Sequence, residues 1–377
     1  MFGRKIAVIA ASLMLTLSMS AVAFAGQDAP TTTNATNPAN GSVLVIEKNL
    51  KVTNPTLTSV YGPGLTYNYA VAPETPSADN GGATITDAQN HTGTVHIGPA
   101  GGITLSAASM SWPKGTAVTA SATGADNKKS INATANISSF TAPGIYRYKV
   151  TESADPADPS TIGVTDANAA EVRYIDVYIV NGNDGLEVSG VVMHDGGTAQ
   201  TNKKTFDDSQ FDTKNVEVKK VVAGNMADKN HEFPFAATVS DNGRKYFDGK
   251  GATAAAATNE NATGSSSANL KDGESFWICG VSKVGTVAVT ETNNTADTYK
   301  TNVSGMATVA QTDVAPNGTL ASGTVTVTDN GQILFTNTLD RVSPTGVIMR
   351  FGPYIGMVLA ALVFALIFRR TRQSNNA

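Results

Sequence analysis

Six polar residues of this chain occupy positions from which strand alternation would send them into a protein core. Alternate side chains of a strand point to opposite faces. Lys48 shares parity with Leu44, Ile46 and Leu50, and Lys220 with Val216, Val218 and Val222. Glu152 falls in line with Tyr146, Tyr148 and Val150, Glu291 with Val287 and Val289, Asp208 with Phe206, and Asn337 with Ile333 and Phe335. All six are expected to be buried. Burying an isolated ammonium or carboxylate is costly, and ion pairing often fails to recover the loss. Burial also drives a lysine towards its neutral amine and a glutamate towards its protonated acid. A neutral amine beside a protonated acid can attack a side-chain carbonyl. Lys48 would attack Asp208 with Glu152 assisting and lose water; Lys220 would attack Asn337 with Glu291 assisting and lose ammonia. Each product is an amide cross-link, favoured by the proximity of groups held in a rigid, dry site. The reaction happens once per molecule, so the chain is expected to be self-processing and not an enzyme with turnover. The plain alternative is a buried ion-pair network at each place, or a parity shifted by one residue.

Strands must position these residues. No amphipathic helical stretch stands out in the body of the chain. Short runs rich in Val, Ile, Thr and Tyr, such as 42–50, 144–152, 172–180, 216–222 and 323–328, are separated by Gly, Asn, Asp and Pro, a pattern that favours β-sandwiches. The runs also repeat. Leu44-Val45-Ile46-Glu47-Lys48-Asn49-Leu50 matches Val216-Glu217-Val218-Lys219-Lys220-Val221-Val222, Tyr148-Lys149-Val150-Thr151-Glu152 matches Val287-Ala288-Val289-Thr290-Glu291, and Phe206-Asp207-Asp208 matches Phe335-Thr336-Asn337. Each half runs Lys, then Glu, then Asp or Asn. An all-β protein of two tandem sandwiches follows, the first over residues 41–213 and the second over 214–340, both of ordinary domain size.

The two ends are of another kind. Residues 1–25 carry Arg4 and Lys5, an apolar run and Ala23-Phe24-Ala25, the pattern of a secretory signal peptide with its cleavage site. Residues 26–40, rich in Thr, Asn, Pro and Ala without periodicity, read as a solvated linker. Near the other end, the uncharged segment 347–368, apart from Arg350, precedes Arg369, Arg370 and Arg372. It is expected to be a transmembrane helix whose basic tail, 369–377, stays in the cytoplasm. The segment 342–346, Val342-Ser343-Pro344-Thr345-Gly346, precedes it, and the order Pro-Thr-Gly, apolar span, basic tail resembles a sortase cell-wall sorting signal of Gram-positive bacteria. That resemblance implies cleavage between Thr345 and Gly346, with the Thr345 carbonyl passed to an amine. The usual motif is Leu-Pro-x-Thr-Gly; here Val342 fills the Leu slot and Ser343 the first Pro slot.

The stretch Val218-Lys219-Lys220-Val221-Val222-Ala223-Gly224-Asn225-Met226-Ala227-Asp228-Lys229, followed by Phe233 and Phe235, resembles the streptococcal, sortase-assembled backbone-pilin family. So do Pro143-Gly144-Ile145-Tyr146-Arg147-Tyr148-Lys149-Val150-Thr151-Glu152 and Phe335-Thr336-Asn337 ahead of the sorting signal. The resemblance covers essentially the whole mature chain. It implies immunoglobulin-like sandwiches of the collagen-adhesin B type, with Lys48, Glu152 and Asp208 as one isopeptide site and Lys220, Glu291 and Asn337 as the other. Asp208 stands where the family commonly has Asn. It also implies transfer of Thr345 of one subunit to a lysine near the end of the next subunit's first domain, for which Lys203 and Lys204 are the nearest residues. The implied partners are sortase, identical pilin subunits and peptidoglycan or its precursor, on the surface of a Gram-positive cell. Within the same class, the alternative is an unpolymerised wall-anchored adhesin that binds a host or microbial surface ligand. A secreted enzyme merely tethered by the sorting signal is the alternative from a different class.

Composition removes other readings. The 27 basic and 31 acidic residues give a formal charge of -4, which points to no nucleic acid. Removing the two ends takes six basic residues and no acidic one, leaving 21 against 31, so the mature body carries -10. The one cysteine, Cys279, cannot form a disulfide within the chain and reads as a small buried hydrophobe. His91, His96, His194 and His231 show no metal-site spacing, and no phosphate loop or nucleophile elbow appears in a supporting context. No cofactor or metal is expected.

Overall fold

The computed structural model describes residues 33–34, 42–86, 91–166, 168–196, 203, 205–341 and 344–374. The expected signal peptide, Lys204, Val342 and Ser343 lie outside the described residues. Thr33–Asn34, within the expected linker, pairs with the start of the first long strand.

The strands that matter here are β1 (Ser42–Thr53), β2 (Leu65–Pro73), β3 (Ala125–Ala135), β4 (Gly144–Asp155), β5 (Val164–Thr165), β6 (Ala170–Gly182) and β7 (Gly185–His194). They are followed by β8 (Ser209–Ala223), β9 (Phe233–Ser240), β10 (Ser275–Ser282), β11 (Thr286–Thr292), β12 (Tyr299–Gly305) and β13 (Gly331–Thr338). The protein is mostly β-sheet, closed by the helix α1 (Pro344–Ser374). Within α1, residues 354–368 are uncharged and exposed. Among the described residues no helix is long and apolar enough to cross a membrane.

Buried apolar side chains gather in two large clusters. One is drawn from Leu44 to Phe211 and includes Ile46, Tyr67, Trp112, Val150 and Phe206. The other is drawn from Val216 to Leu339 and includes Phe233, Phe235, Val287, Tyr299 and Phe335. In each, two sheets face one another across the core. In the first unit β1 and β3 lie in one sheet, and β2, β4, β6 and β7 in the other. In the second, β8, β10, β12 and β13 face a sheet that holds β9 and β11.

The 15-residue strand β8 serves both units. Its first rungs run parallel to β1, from Ser209 opposite Leu50 to Asp212 opposite Thr53, and antiparallel to β5. Its later rungs run antiparallel to β10 and parallel to β13, from Val216 opposite Gly331 to Ala223 opposite Thr338. At about 3.3 Å per residue, β8 reaches about 50 Å as one continuous rod. Side chains close the joint around it. Arg244 donates to the main-chain oxygen of Tyr61 at 2.8 Å, Asn54 donates to Thr213 and Asn215 at 3.0 Å each, and the Tyr61 and Phe247 rings stack at 5.5 Å.

Candidate cross-linking sites

In the second unit, alternation along β8 buries Val216, Val218, Lys220 and Val222 together. Val222 lies opposite Asn337 on β13, which makes Lys220 and Asn337 diagonal neighbours on the inner face. Both are 0% exposed. Glu291 enters from β11 in the facing sheet, so its contacts span the sandwich. Lys220 Nζ lies 3.0 Å from each Glu291 carboxylate oxygen and 4.3 Å from the centre of the Phe233 ring. Asn337 Nδ2 donates to Glu291 Oε1, while Asn337 Oδ1 is buried without a hydrogen-bond partner.

The electrostatics follow from burial. It pulls the Lys220 amine down to about 8, against the opposing pull of Glu291, and pushes the Glu291 carboxyl up, against Lys220 and Asn337. Both directions favour the neutral pair. Glu291 is bonded at once to a potential nucleophile, Nζ, and to a potential leaving group, Nδ2. It can therefore take a proton from the first and return one to the second. The assisting contact is thus made to the amide nitrogen and not to the carbonyl oxygen.

The first unit repeats half of this arrangement. Lys48 on β1 is 0% exposed among Leu44, Ile46, Leu50 and Val52. It donates to Glu152 Oε1 on β4 at 2.8 Å, and its Nζ stands 4.1 Å from the centre of the Tyr67 ring. Tyr69 donates to the other oxygen, Glu152 Oε2, at 2.6 Å. Burial pushes the Glu152 carboxyl up to about 7 despite Lys48 beside it.

Asp208 is not at this site. Its side chain is 43% exposed, with Oδ2 3.7 Å from Lys51 Nζ and 3.2 Å from Asn49 Nδ2. It lines a surface pocket with Glu47, Asn49, Lys51, Asp126, Lys128 and Thr205. The cause is a one-residue slip. Thr205 bridges Glu47, but Ser209 lies opposite Leu50, so four positions of this segment pass three of β1. Residues 206–208 belong to no strand. An extra residue reverses the side chains that follow it, so Phe206 and Ser209 both face inward and Asp208 faces out. The carboxylate that does reach Lys48 is Asp166, which directly follows β5; its Oδ2 lies 3.6 Å from Lys48 Nζ and both side chains are 0% exposed. A two-residue strand carries no readable alternation, so Asp166 had no periodic signal in the sequence.

Of the other expected residues, Lys203 is half-buried, with its Nζ on Asp207 Oδ1 at 2.8 Å and its main-chain N–H on the Met193 oxygen. That contact helps hold the Asp207 carboxyl below its usual range. Thr345 and Gly346 fall in the first turn of α1. Cys279 is fully buried near Ala254 and Ala257, and burial pushes its thiol up to about 12, so it is not a reactive thiolate. Among the described residues no cluster of His, Cys, Asp and Glu could hold a metal ion.

Residues 214–339 match the family described as Domain of unknown function (DUF7601). Across nearly the whole chain there is a match to a Streptococcus pyogenes serotype M1 protein named Pilin, 26% identical over 368 residues and covering 92% of this chain and 95% of that protein. Over most of its length the chain is similar to a streptococcal pilin. Solved structures similar to it include the major pilin from S. pyogenes, at 21% identity and TM-score 0.46, covering 80% of this chain and 100% of that one. The S. pyogenes major pilin T3.2 aligns at 20% identity and TM-score 0.46, over 80% and 99% of the two chains.

Proposed function

We propose that the chain is a structural pilus subunit, exported, joined to identical subunits by sortase and finally linked to peptidoglycan. The observation that carries this reading is the match over 92% of the chain to a protein named Pilin. The sequence supports the assembly steps. Pro344-Thr345-Gly346 supplies a cleavable Thr–Gly bond, residues 354–368 are apolar on every side of α1, and Arg369, Arg370 and Arg372 follow. The uncharged sequence 351–368 ahead of that basic tail would hold the precursor in the membrane until transfer. Lys203 or Lys204 of the next subunit would accept Thr345.

The buried sites supply the mechanical part. In the second unit Nζ of Lys220 would attack Cγ of Asn337, the C–Nδ2 bond would break, and ammonia would leave with a proton relayed by Glu291. β8 opens this unit and β13 closes it, and the two are parallel. Tension on the chain ends therefore shears one strand along the other, and a covalent bond between them would bear the load before the hydrogen-bonded ladder yields. The reaction occurs once and is not turnover catalysis.

The polymer is tested in cell-wall extracts. The expected result is a detergent-resistant ladder that disappears when Lys203 and Lys204 are both changed to Ala; a single band from the unmutated strain would overturn polymerisation and leave a wall-anchored monomer.

A further inference from the structure

The geometry points to Asp166 as the residue that forms an isopeptide bond with Lys48, in place of any residue on the strand that carries the acceptor in the second unit. This deepens the cross-linking part of the proposed function and rests on it. Two independent relations support the assignment, one of register and one of contact.

The registers of the two units can be laid over one another. Lys220 lies two residues before Val222, whose rung partner is Asn337. Lys48 lies two residues before Leu50, whose rung partner is Ser209. Ser209 therefore holds the place of Asn337, and a hydroxyl cannot receive an amine to form an amide. One strand further out, Thr301 of β12 lies opposite Asn337. The corresponding strand of the first unit is β5, where Thr165 lies opposite Gln210 and the next residue is Asp166. The hydroxyl and the carbonyl-bearing residue have exchanged strands. Thr301 and Asn337 in one unit become Asp166 and Ser209 in the other.

The contacts agree with the exchange. Ser209 is small enough for Asp166 to reach over it, and Ser209 Oγ donates to Asp166 Oδ2 at 3.0 Å. Tyr67 donates to the same oxygen and also lies 2.6 Å from Ser209 Oγ. Lys48 Nζ stands 3.6 Å from that oxygen and 2.8 Å from Glu152. The nucleophile, an acid able to move its protons and two hydroxyl donors on the carboxyl oxygen thus surround one buried carbon.

The step balances without a co-reactant. A bond forms between Nζ of Lys48 and Cγ of Asp166, and the bond from Cγ to one carboxyl oxygen breaks. An ammonium and a carboxylate go in, and an amide and one water come out. Glu152 accepts a proton from Nζ and releases it towards the departing oxygen, held meanwhile by Tyr67 and Ser209.

The test is the intact mass of the purified full chain, with termini fixed by peptide mapping, followed by sequencing of cross-linked peptides. The unmutated chain is expected to lack one water and one ammonia, with the Lys48 peptide joined to the Asp166 peptide. Asp166→Ala is expected to lack ammonia alone, and Asp208→Ala to lack both. Asp166→Asn keeps the shape of the site and is expected to exchange the water loss for a second ammonia loss. Water loss retained in Asp166→Ala, or a Lys48 peptide joined to Asp208, would overturn the assignment. So would an unmutated chain lacking only ammonia, which leaves the second-unit bond standing; a chain lacking neither overturns the cross-linking reading as a whole.

Discussion

Glu291 meets Lys220 with both carboxylate oxygens, each 3.0 Å from Nζ, and accepts from Asn337 Nδ2 through one of them. One side chain thus touches both nitrogens that an amide exchange would have to handle. Glu152 differs, since it gives Lys48 one oxygen and Tyr69 the other. In the second unit the acid touches both the nucleophile and the leaving group, whereas in the first it touches the nucleophile and a phenol.

Glu291→Gln should therefore abolish the ammonia loss. Glutamine keeps the shape but neither accepts the Nζ proton nor balances the buried lysine. An uncompensated buried charge costs about 3–5 kcal/mol. The expected outcome is a mass higher by one ammonia than the parent once the substitution itself is allowed for, with a matching fall in urea unfolding free energy. A variant that still loses ammonia would show that Lys220 needs no acid.

The Glu152 carboxyl gives a pH dependence of definite sign. In the unlinked Asp166→Ala variant the groups that set it, Lys48, Tyr69 and Glu171, all remain. Burial raises the folded value from 4.5 to about 7, so between these limits the folded chain holds a proton that the unfolded chain has released. Stability is then complete below about 4.5 and falls as pH rises to about 7, by about 3 kcal/mol at 1.36 kcal/mol per pH unit. Urea unfolding across that range measures it. The profile should flatten on adding Glu152→Gln, and a stability that rises through the window would contradict the burial of this carboxyl as its controlling influence.

Strand alternation made five buried polar residues legible in the sequence. Lys48, Lys220, Glu152, Glu291 and Asn337 all lie at inward positions of long strands. Asp208 was misread because residues 206–208 carry a slip that composition does not announce. Asp166 was invisible because its strand has two residues and its partners come from β1, β2 and β8, far apart in sequence. Arg147 escaped for a different reason. It faces away from Tyr148 and Val150, yet is 0% exposed because Asp176, Asn80 and the Gly82 oxygen enclose its guanidinium. Alternation states the face of a side chain, and only the pairing of distant strands states what meets it there.

The joint between the units makes a separate prediction. Arg244 donates to the Tyr61 oxygen of the first unit and, within the second, to Asp241 and the Gly280 oxygen, with its guanidinium 4.9 Å from the centre of the Phe211 ring. Arg244→Ala would leave the buried Asp241 carboxylate without its cation, a loss of about 3–5 kcal/mol. The two tryptophans divide between the units, Trp112 in the first core and Trp277 on β10. Single-tryptophan variants should report coincident thermal transitions in the parent and separated ones after Arg244→Ala, with the Trp277 signal lost first. Coincident transitions in the variant would mean that β8 and the remaining joint contacts couple the units without Arg244.

Asn337→Asp separates the acceptor's chemistry from its position. The change replaces the leaving nitrogen by oxygen and leaves the diagonal relation to Lys220 intact. Amide formation remains possible, but it now releases water, so the purified chain should lack two waters in place of one water and one ammonia. The new carboxyl also lies against Glu291, and two carboxylates in contact cannot both stay ionised. One proton must be held between them, which favours the reaction below neutral pH and slows it above. Refolding variant chain recovered unlinked from inclusion bodies, while sampling its intact mass, would give that rate at each pH. Bond formation that is as fast at pH 9 as at pH 6 would contradict the shared proton. Failure to form the bond at any pH, in a variant that folds, would show that the Nδ2 contact with Glu291 is indispensable and that proximity to Lys220 is not sufficient.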